Sequence, residues 1–246
     1  MRSLSAHEGL RLLELDQALS PVDKAMALLG LACPEMTRNE LLGLPIGKRD
    51  ALLLTLREAT FGSTLTARAD CPQCAETLEF RLDVASLLDR GTSDRPTKLE
   101  ETFAAQGLTF RFRLPDSTDL TDATECADVE SARARLIDRC VQSVRKGSNE
   151  ISLTDVPEAT MVALSEFFGQ LDPLSELRLA LTCPGCGHEW NALFDPAEFL
   201  WEELRDQASR LLQEIDALAR AYGWREEDVL SMTPARRRLY VGMVTQ

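Results

Sequence analysis

Cys71-Pro72-Gln73-Cys74 and Cys183-Pro184-Gly185-Cys186 stand 112 positions apart, and the residues around them agree at that same offset. Leu65, Ala67 and Ala69 lead into the first pair; Leu177, Leu179 and Leu181 lead into the second. Leu78, Phe80 and Leu82 follow the one, and Trp190, Ala192 and Phe194 follow the other. Each run then reaches an aspartate, Asp83 or Asp195, and a helix-like segment. Strict alternation on both sides of a tight CxxC turn is the pattern of a strand, a metal knuckle and a strand. Two knuckles supply four thiolates, the number that tetrahedral zinc takes. The spacing therefore predicts one structural zinc held by Cys71, Cys74, Cys183 and Cys186, in a zinc ribbon split by a long insertion.

Cys-Pro-x-Cys also occurs in glutaredoxin-like redox sites, where the nucleophilic cysteine opens a helix whose N-terminal field lowers the thiol pKa. Here strand-like alternation follows each pair instead, which makes redox chemistry the weaker reading. A catalytic zinc needs an open coordination position, and four cysteines close the shell. Zinc deaminases combine H-x-E with P-C-x-x-C. In this chain His7-Glu8 and His188-Glu189 are adjacent pairs, and the prolines lie inside the CxxC. Three roles stay open for His188: a replacement ligand, a hydrogen-bond partner of a thiolate, or (the plainest) a polar strand residue beside the knuckle.

Around these knuckles the chain has 246 residues, enough for a real core, with 44% apolar and 27% charged residues as in ordinary globular proteins. A formal charge of −13 disfavours direct nucleic-acid contact, which needs a concentrated basic face. The tight basic cluster is Arg236-Arg237-Arg238. No apolar run approaches the roughly 18–20 residues that span a bilayer, so no membrane partner is expected. The N-terminus, Met1-Arg2-Ser3-Leu4-Ser5, lacks a signal-peptide core, which predicts a cytoplasmic protein. Seven cysteines, an odd count with two CxxC pairs, suit a reducing compartment better than a disulfide framework. Cys33, Cys126 and Cys140 read as small buried hydrophobes. Two histidines and no G-x-S-x-G, P-loop or G-x-G-x-x-G leave no catalytic constellation, so neither an enzyme nor a small-molecule substrate is expected. Glu202-Glu203 and Glu226-Glu227-Asp228 read as solvated faces.

Three regions follow: an N-terminal helical region over 1–62, the split ribbon with its insertion over 63–195, and a C-terminal helical region over 196–246, read together as one unit. Ser20-Pro21 opens a helix through Leu31, and Thr37-Arg38-Asn39-Glu40 has capping-box spacing. A further helix runs from about Lys48 to Thr60, with Gly62 as its left-handed stop. Gly91 to Pro96 reads as a loop, and 98–114 as a hairpin turning at Gln106-Gly107 with Leu108, Phe110 and Phe112 on one face. Helices are expected over 119–126, 130–145 and 157–171. From Asp195-Pro196 to Gly223 a long helix carries an apolar stripe that is mostly core, with a part offered to another chain. Trp224 is expected to fold back on Leu230 and Tyr240 as a helical corner, with Trp224, Arg236 and Tyr240 as candidate partner-binding residues. The fold class is α+β: mainly helical, with a split four-cysteine zinc ribbon and a hairpin in the insertion.

Several of these stretches carry a family resemblance. Arg57-Glu58-Ala59-Thr60-Phe61-Gly62, then Cys71-Pro-x-Cys74, then Arg113-Leu114-Pro115 with Asp119-Leu120, resemble proteins encoded beside baseplate genes of contractile phage tails and phage-tail-like injection particles. So do Cys183-Pro-x-Cys186-Gly187, Phe199-Leu200-Trp201-Glu202-Glu203-Leu204, and Tyr222-Gly223-Trp224 through Tyr240. The resemblance spans most of residues 50–244, and the group is similar to the T-even phage baseplate hub assembly chaperones. It implies a non-enzymatic factor that helps assemble or complete a baseplate hub, with hub, spike or tube proteins as partners. The rival reading is a zinc-ribbon adaptor in transcription or RNA handling.

Overall fold

Caps set where the first helices begin. In the computed structural model, which describes residues 1–15, 19–91 and 100–244, α1 (Ala6–Leu15) precedes α2 (Pro21–Ala32). Ser20 Oγ accepts from the Asp23 amide and starts α2 as expected. At α3 (Arg38–Leu42) the capping box is complete: Thr37 Oγ1 accepts from the Glu40 amide, and the Glu40 carboxylate accepts from the Thr37 amide at 2.7 Å. α4 (Ile46–Phe61) ends at Gly62, whose φ of 93° is positive but whose ψ of 177° is extended, not the left-handed helical stop expected. α4 also has no side-chain cap of its own. Its Gly47 amide donates to Asp172 Oδ2 at 2.9 Å, a cap supplied from 125 positions later.

The first knuckle hairpin joins β1 (Thr64–Asp70) to β2 (Thr77–Asp83), in register from Thr64–Asp83 to Asp70–Thr77. α5 (Val84–Asp89) follows, with Asp83 as its cap. Most of the loop expected over 91–96, and positions 98 and 99 of the expected hairpin run, lie outside the described residues. β3 (Glu101–Ala105) and β4 (Leu108–Phe112) form that hairpin, with φ of 52° at Gln106 and 75° at Gly107. Two successive positive φ values suit a two-residue turn between twisted strands. Leu108, Phe110 and Phe112 are buried while Thr109 and Arg111 are exposed.

After α6 (Ser117–Thr124) and α7 (Val129–Cys140) the structure departs from expectation. The helix predicted over 130–145 stops at Cys140; Val141–Lys146 is instead β5, which pairs with β4 and turns through Gly147-Ser148 into β6 (Asn149–Ile151). The hairpin therefore grows into a four-stranded sheet in the order β3-β4-β5-β6. Val144 stands opposite Phe110 and is buried with it, so cross-strand packing overrides the local helical pattern. α8 (Glu158–Leu171) covers the sheet; Phe167 lies 4.9 Å from Phe103 and Phe168 4.6 Å from Phe112, centroid to centroid.

The second knuckle hairpin pairs β7 (Arg178–Thr182) with β8 (Glu189–Leu193). It leads into α9 (Pro196–Tyr222), which Asp195 caps by accepting from the Ala197 and Glu198 amides and Gly223 stops at φ 66°, ψ 20°. α10 (Glu226–Leu230) and α11 (Pro234–Val244) are the last elements of the described residues. Leu200, Trp201 and Leu204 of α9 pack with Leu28, Leu29, Leu53 and Leu56 of α2 and α4. Ala208, Leu211, Ile215 and Leu218 pack with Leu10 of α1 and Val229 of α10. Most of the apolar stripe of α9 is thus used inside the molecule, while Leu212 and Tyr222 remain exposed. Arg57, buried on α4, makes a two-pronged bond to Glu203 of α9 at 2.7 and 2.8 Å and also donates to the Gly62 carbonyl. The architecture is α+β, and α4 and α9 form its spine.

Candidate metal centre

Each knuckle is shaped by the same two backbone bonds. The Cys71 amide donates to the Glu76 carbonyl and the Ala75 amide to the Cys71 carbonyl, both at 2.9 Å. At the second turn Cys183 donates to the His188 carbonyl at 2.8 Å and Gly187 to the Cys183 carbonyl at 2.9 Å. The fifth residue of each knuckle takes a positive φ, 58° at Ala75 and 74° at Gly187. The hairpins remain two separate two-stranded sheets, so the site joins them at their turns only. Leu65, Ala67, Leu177, Leu179 and Phe194 anchor both hairpins in one cluster with Leu54 of α4 and Leu87 of α5.

This anchoring brings the four predicted cysteines together. Cys71 Sγ lies 3.7 Å from Cys186 Sγ, Cys74 Sγ lies 3.6 Å from Cys183 Sγ, and all four sulfurs fall within 4.8 Å of one another. None is in a disulfide. A tetrahedral ion with metal–sulfur bonds of about 2.3 Å sets its ligands about 3.8 Å apart, so the donor set and spacing fit zinc. Cys71 and Cys183 are buried while Cys74 and Cys186 are exposed, so the inner pair faces the cluster beneath and the outer pair the surface. A Cβ on Gly185 would contact Cys183 Sγ and Glu76 at 3.8 Å, which shows how closely the two turns meet.

Cys71 titrates apart from Cys74 and Cys186. Burial pushes Cys71 up, but amides of Cys74 and Gln73 directed at its sulfur outweigh it and bring the thiol to about 7. At Cys74 the Glu76 amide favours the thiolate, yet the neighbouring Cys186 and Cys183 sulfurs drive it up to about 12. The His188 amide acts the same way on Cys186, and burial together with the Cys183 and Cys71 sulfurs leaves that thiol raised too. Four adjacent thiolates require a cation, and a divalent ion would supply the charge that lets all four ligate. His188 stands outside the cluster; its ring stacks on Trp190 at 6.0 Å with 12° between planes.

Trp224, Arg236 and Tyr240 gather at a separate corner. Trp224 is half-buried, stacked on Tyr222 at 4.6 Å and meeting Tyr240 edge-on at 4.9 Å. Arg236 is exposed with its guanidinium 5.6 Å from the Tyr240 ring centre, whereas its neighbour Arg237 is buried and bonded to Glu214 of α9. Of the lone cysteines, Cys33 and Cys140 are buried as expected, and Cys126 is half-exposed.

Sequence reasoning missed a polar core beside the sheet. Asp119 is fully buried and accepts from Arg113 at 2.6 and 2.8 Å, from Arg139 at 2.7 Å and from the Asp116 amide at 2.9 Å. Burial alone would raise its carboxyl, but Arg113, the Asp116 amide and Arg139 hold it down at about 2. The signal was present in the Asp116/Asp119 pair at capping-box spacing next to Arg113.

Against known families, a model described as T4 bacteriophage base plate protein matches residues 22–201, well over half of the chain. All four clustered cysteines and Asp119 lie inside the match; Trp224, Arg236 and Tyr240 lie beyond it. No curated protein and no solved structure gives a significant match.

Proposed function

The chain belongs to the T4 bacteriophage base plate protein family, and from that premise we propose that it is a non-enzymatic factor that helps assemble, or forms part of, the baseplate hub of a contractile phage tail or phage-tail-like injection particle. The observation that carries this reading is the family match over 22–201, which holds both knuckles and the helices they brace. In this reading the cysteine cluster binds one structural zinc. Its role is mechanical: it fixes two hairpins that the insertion separates, with no open position for catalysis. The match favours this reading over a zinc-ribbon adaptor in transcription or RNA handling.

Its partners are hub, spike or tube proteins, met in the cytoplasm of the producing or infected cell, and the corner of Trp224, Arg236 and Tyr240 contributes to the docking side. The aromatic stack and the arginine support that assignment, since Trp, Tyr and Arg are favoured interface anchors. A net charge of −13 argues against direct nucleic-acid contact. No helix among the described residues is long and apolar enough to cross a membrane.

The test removes the chain from a producing strain and counts intact particles by electron microscopy. Loss of particles with complete baseplates, restored by the gene in trans, is the expected result. Normal yield and injection would overturn the proposal. Mass spectrometry of purified wild-type particles then separates a resident component from a factor that departs.

A further inference from the structure

α11 turns a second apolar face outward. Arg237, Val241 and Val244 face α9, with Arg237 buried against Glu214 and the two valines partly buried in the shared cluster. The opposite side, where an amphipathic surface helix ordinarily carries charge, presents Ala235, Leu239, Gly242 and Met243, all exposed. Leu239 is 68% exposed and Met243 66%. A Cβ added at Gly242 would meet nothing within 4 Å, so the backbone there is open to a close neighbour.

Two arginines border this stripe, Arg236 on one flank and Arg238 on the other, as the turn of the helix dictates. Among the described residues neither has a carboxylate partner. Arg236 reaches Tyr240 alone, through the hydroxyl at 3.5 Å and the ring, and Arg238 makes no ion pair among the described residues. α11 itself carries no acid, although the whole chain has a net charge of −13.

We propose that this outward face of α11 is a docking surface for an acidic amphipathic helix of a baseplate partner. The partner's apolar ridge would lie along Ala235, Leu239 and Met243, close to the open backbone at Gly242, and its flanking carboxylates would meet Arg236 and Arg238. The charge pattern selects this occupant. A second copy docked through the same face would set arginine against arginine, which is repulsive. Two large apolar side chains are a small anchor for a membrane surface. The inference rests on the baseplate reading for the partner's identity; the chemistry of the face does not depend on it.

Two synthetic helix-forming peptides test it, sharing one leucine stripe and differing only in flanks of glutamate or lysine, each titrated into the full chain by fluorescence anisotropy. The glutamate peptide is expected to bind about tenfold or more tightly than the lysine peptide. Arg236→Glu with Arg238→Glu should reverse that preference. Gly242→Leu should weaken the glutamate peptide about tenfold while the thermal midpoint holds or rises, because leucine is the better helix former at an open site. A purely structural α11 would not show that split. Equal binding of the two peptides, no binding of the glutamate peptide, self-association through this face in sedimentation, or preferential uptake onto phosphatidylglycerol vesicles would each overturn the proposal. The baseplate reading stands or falls separately, on particle assembly in the strain lacking the chain.

Discussion

Ala75 and Gly187 occupy the same place in the two knuckles, both with positive φ, and only one of them is the residue suited to it. A side chain in this region crowds the carbonyl that follows, a strain glycine avoids. Ala75→Gly should therefore stabilise the chain by about 0.5–1 kcal/mol, after allowing for the extra freedom of glycine in the unfolded state. A thermal melt showing unchanged or lower stability would contradict the assignment of strain. At Asp119 the direction with pH can be worked out. Its folded carboxyl is held at about 2, below the ordinary 3.8, so the native state binds fewer protons than the unfolded chain in that window. Its contribution, of the order of 2 kcal/mol, is fully present above about pH 4 and disappears as pH falls through about 2. Denaturant melts of wild type and Asp119→Asn should differ most near pH 5 and converge toward pH 2.5. The difference is the quantity to read, because acid also protonates the other carboxylates in both proteins. A gap that does not narrow would place the cost of the mutation elsewhere.

Elements were legible in the sequence where one local signal decided them. The Thr37/Glu40 box, the Gln106-Gly107 turn and the Asp195-Pro196 start each specify a backbone geometry by themselves, and each is found. β5 was not legible, because Val141 and Val144 fit a helical period as well as a strand, and only the pairing with β4 chooses. The polar core escaped for a related reason: burial of Arg57 or Asp119 depends on partners at Glu203, and at Arg113 and Arg139, that the folded chain brings near. The four cysteines were legible as a set because repetition at one offset is itself long-range information. The remote cap on α4 was invisible for the same reason that β5 was. It makes a specific expectation: a Cβ at Gly47 would overlap the Asp172 carboxylate and force it off the helix start. Gly47→Ala should cost roughly 1–3 kcal/mol despite alanine's better helix propensity. A stabilised variant in denaturant titration would show that Asp172 is free to move.

At the scale of the whole molecule, the chain leaves the spine after α5 and returns to it at Asp172, with the four-stranded sheet and α6 to α8 between. Hydrophobic anchoring of both hairpins on Leu54 and Leu87 brings the knuckles together, and a bound ion would lock them. Because that lock joins Cys74 to Cys183 across 109 positions, its loss should loosen the entire insertion and not one turn. The most direct measurement is metal content with sulfur coordination, by elemental analysis and X-ray absorption on protein purified under reducing conditions, for wild type, Cys74→Ser and Cys186→Ser. One zinc per chain is expected, with four sulfurs at about 2.3 Å, and loss of tight binding in both variants. Two metals per chain, no metal, or full occupancy after removal of a cysteine from either hairpin would contradict a single site shared by the two.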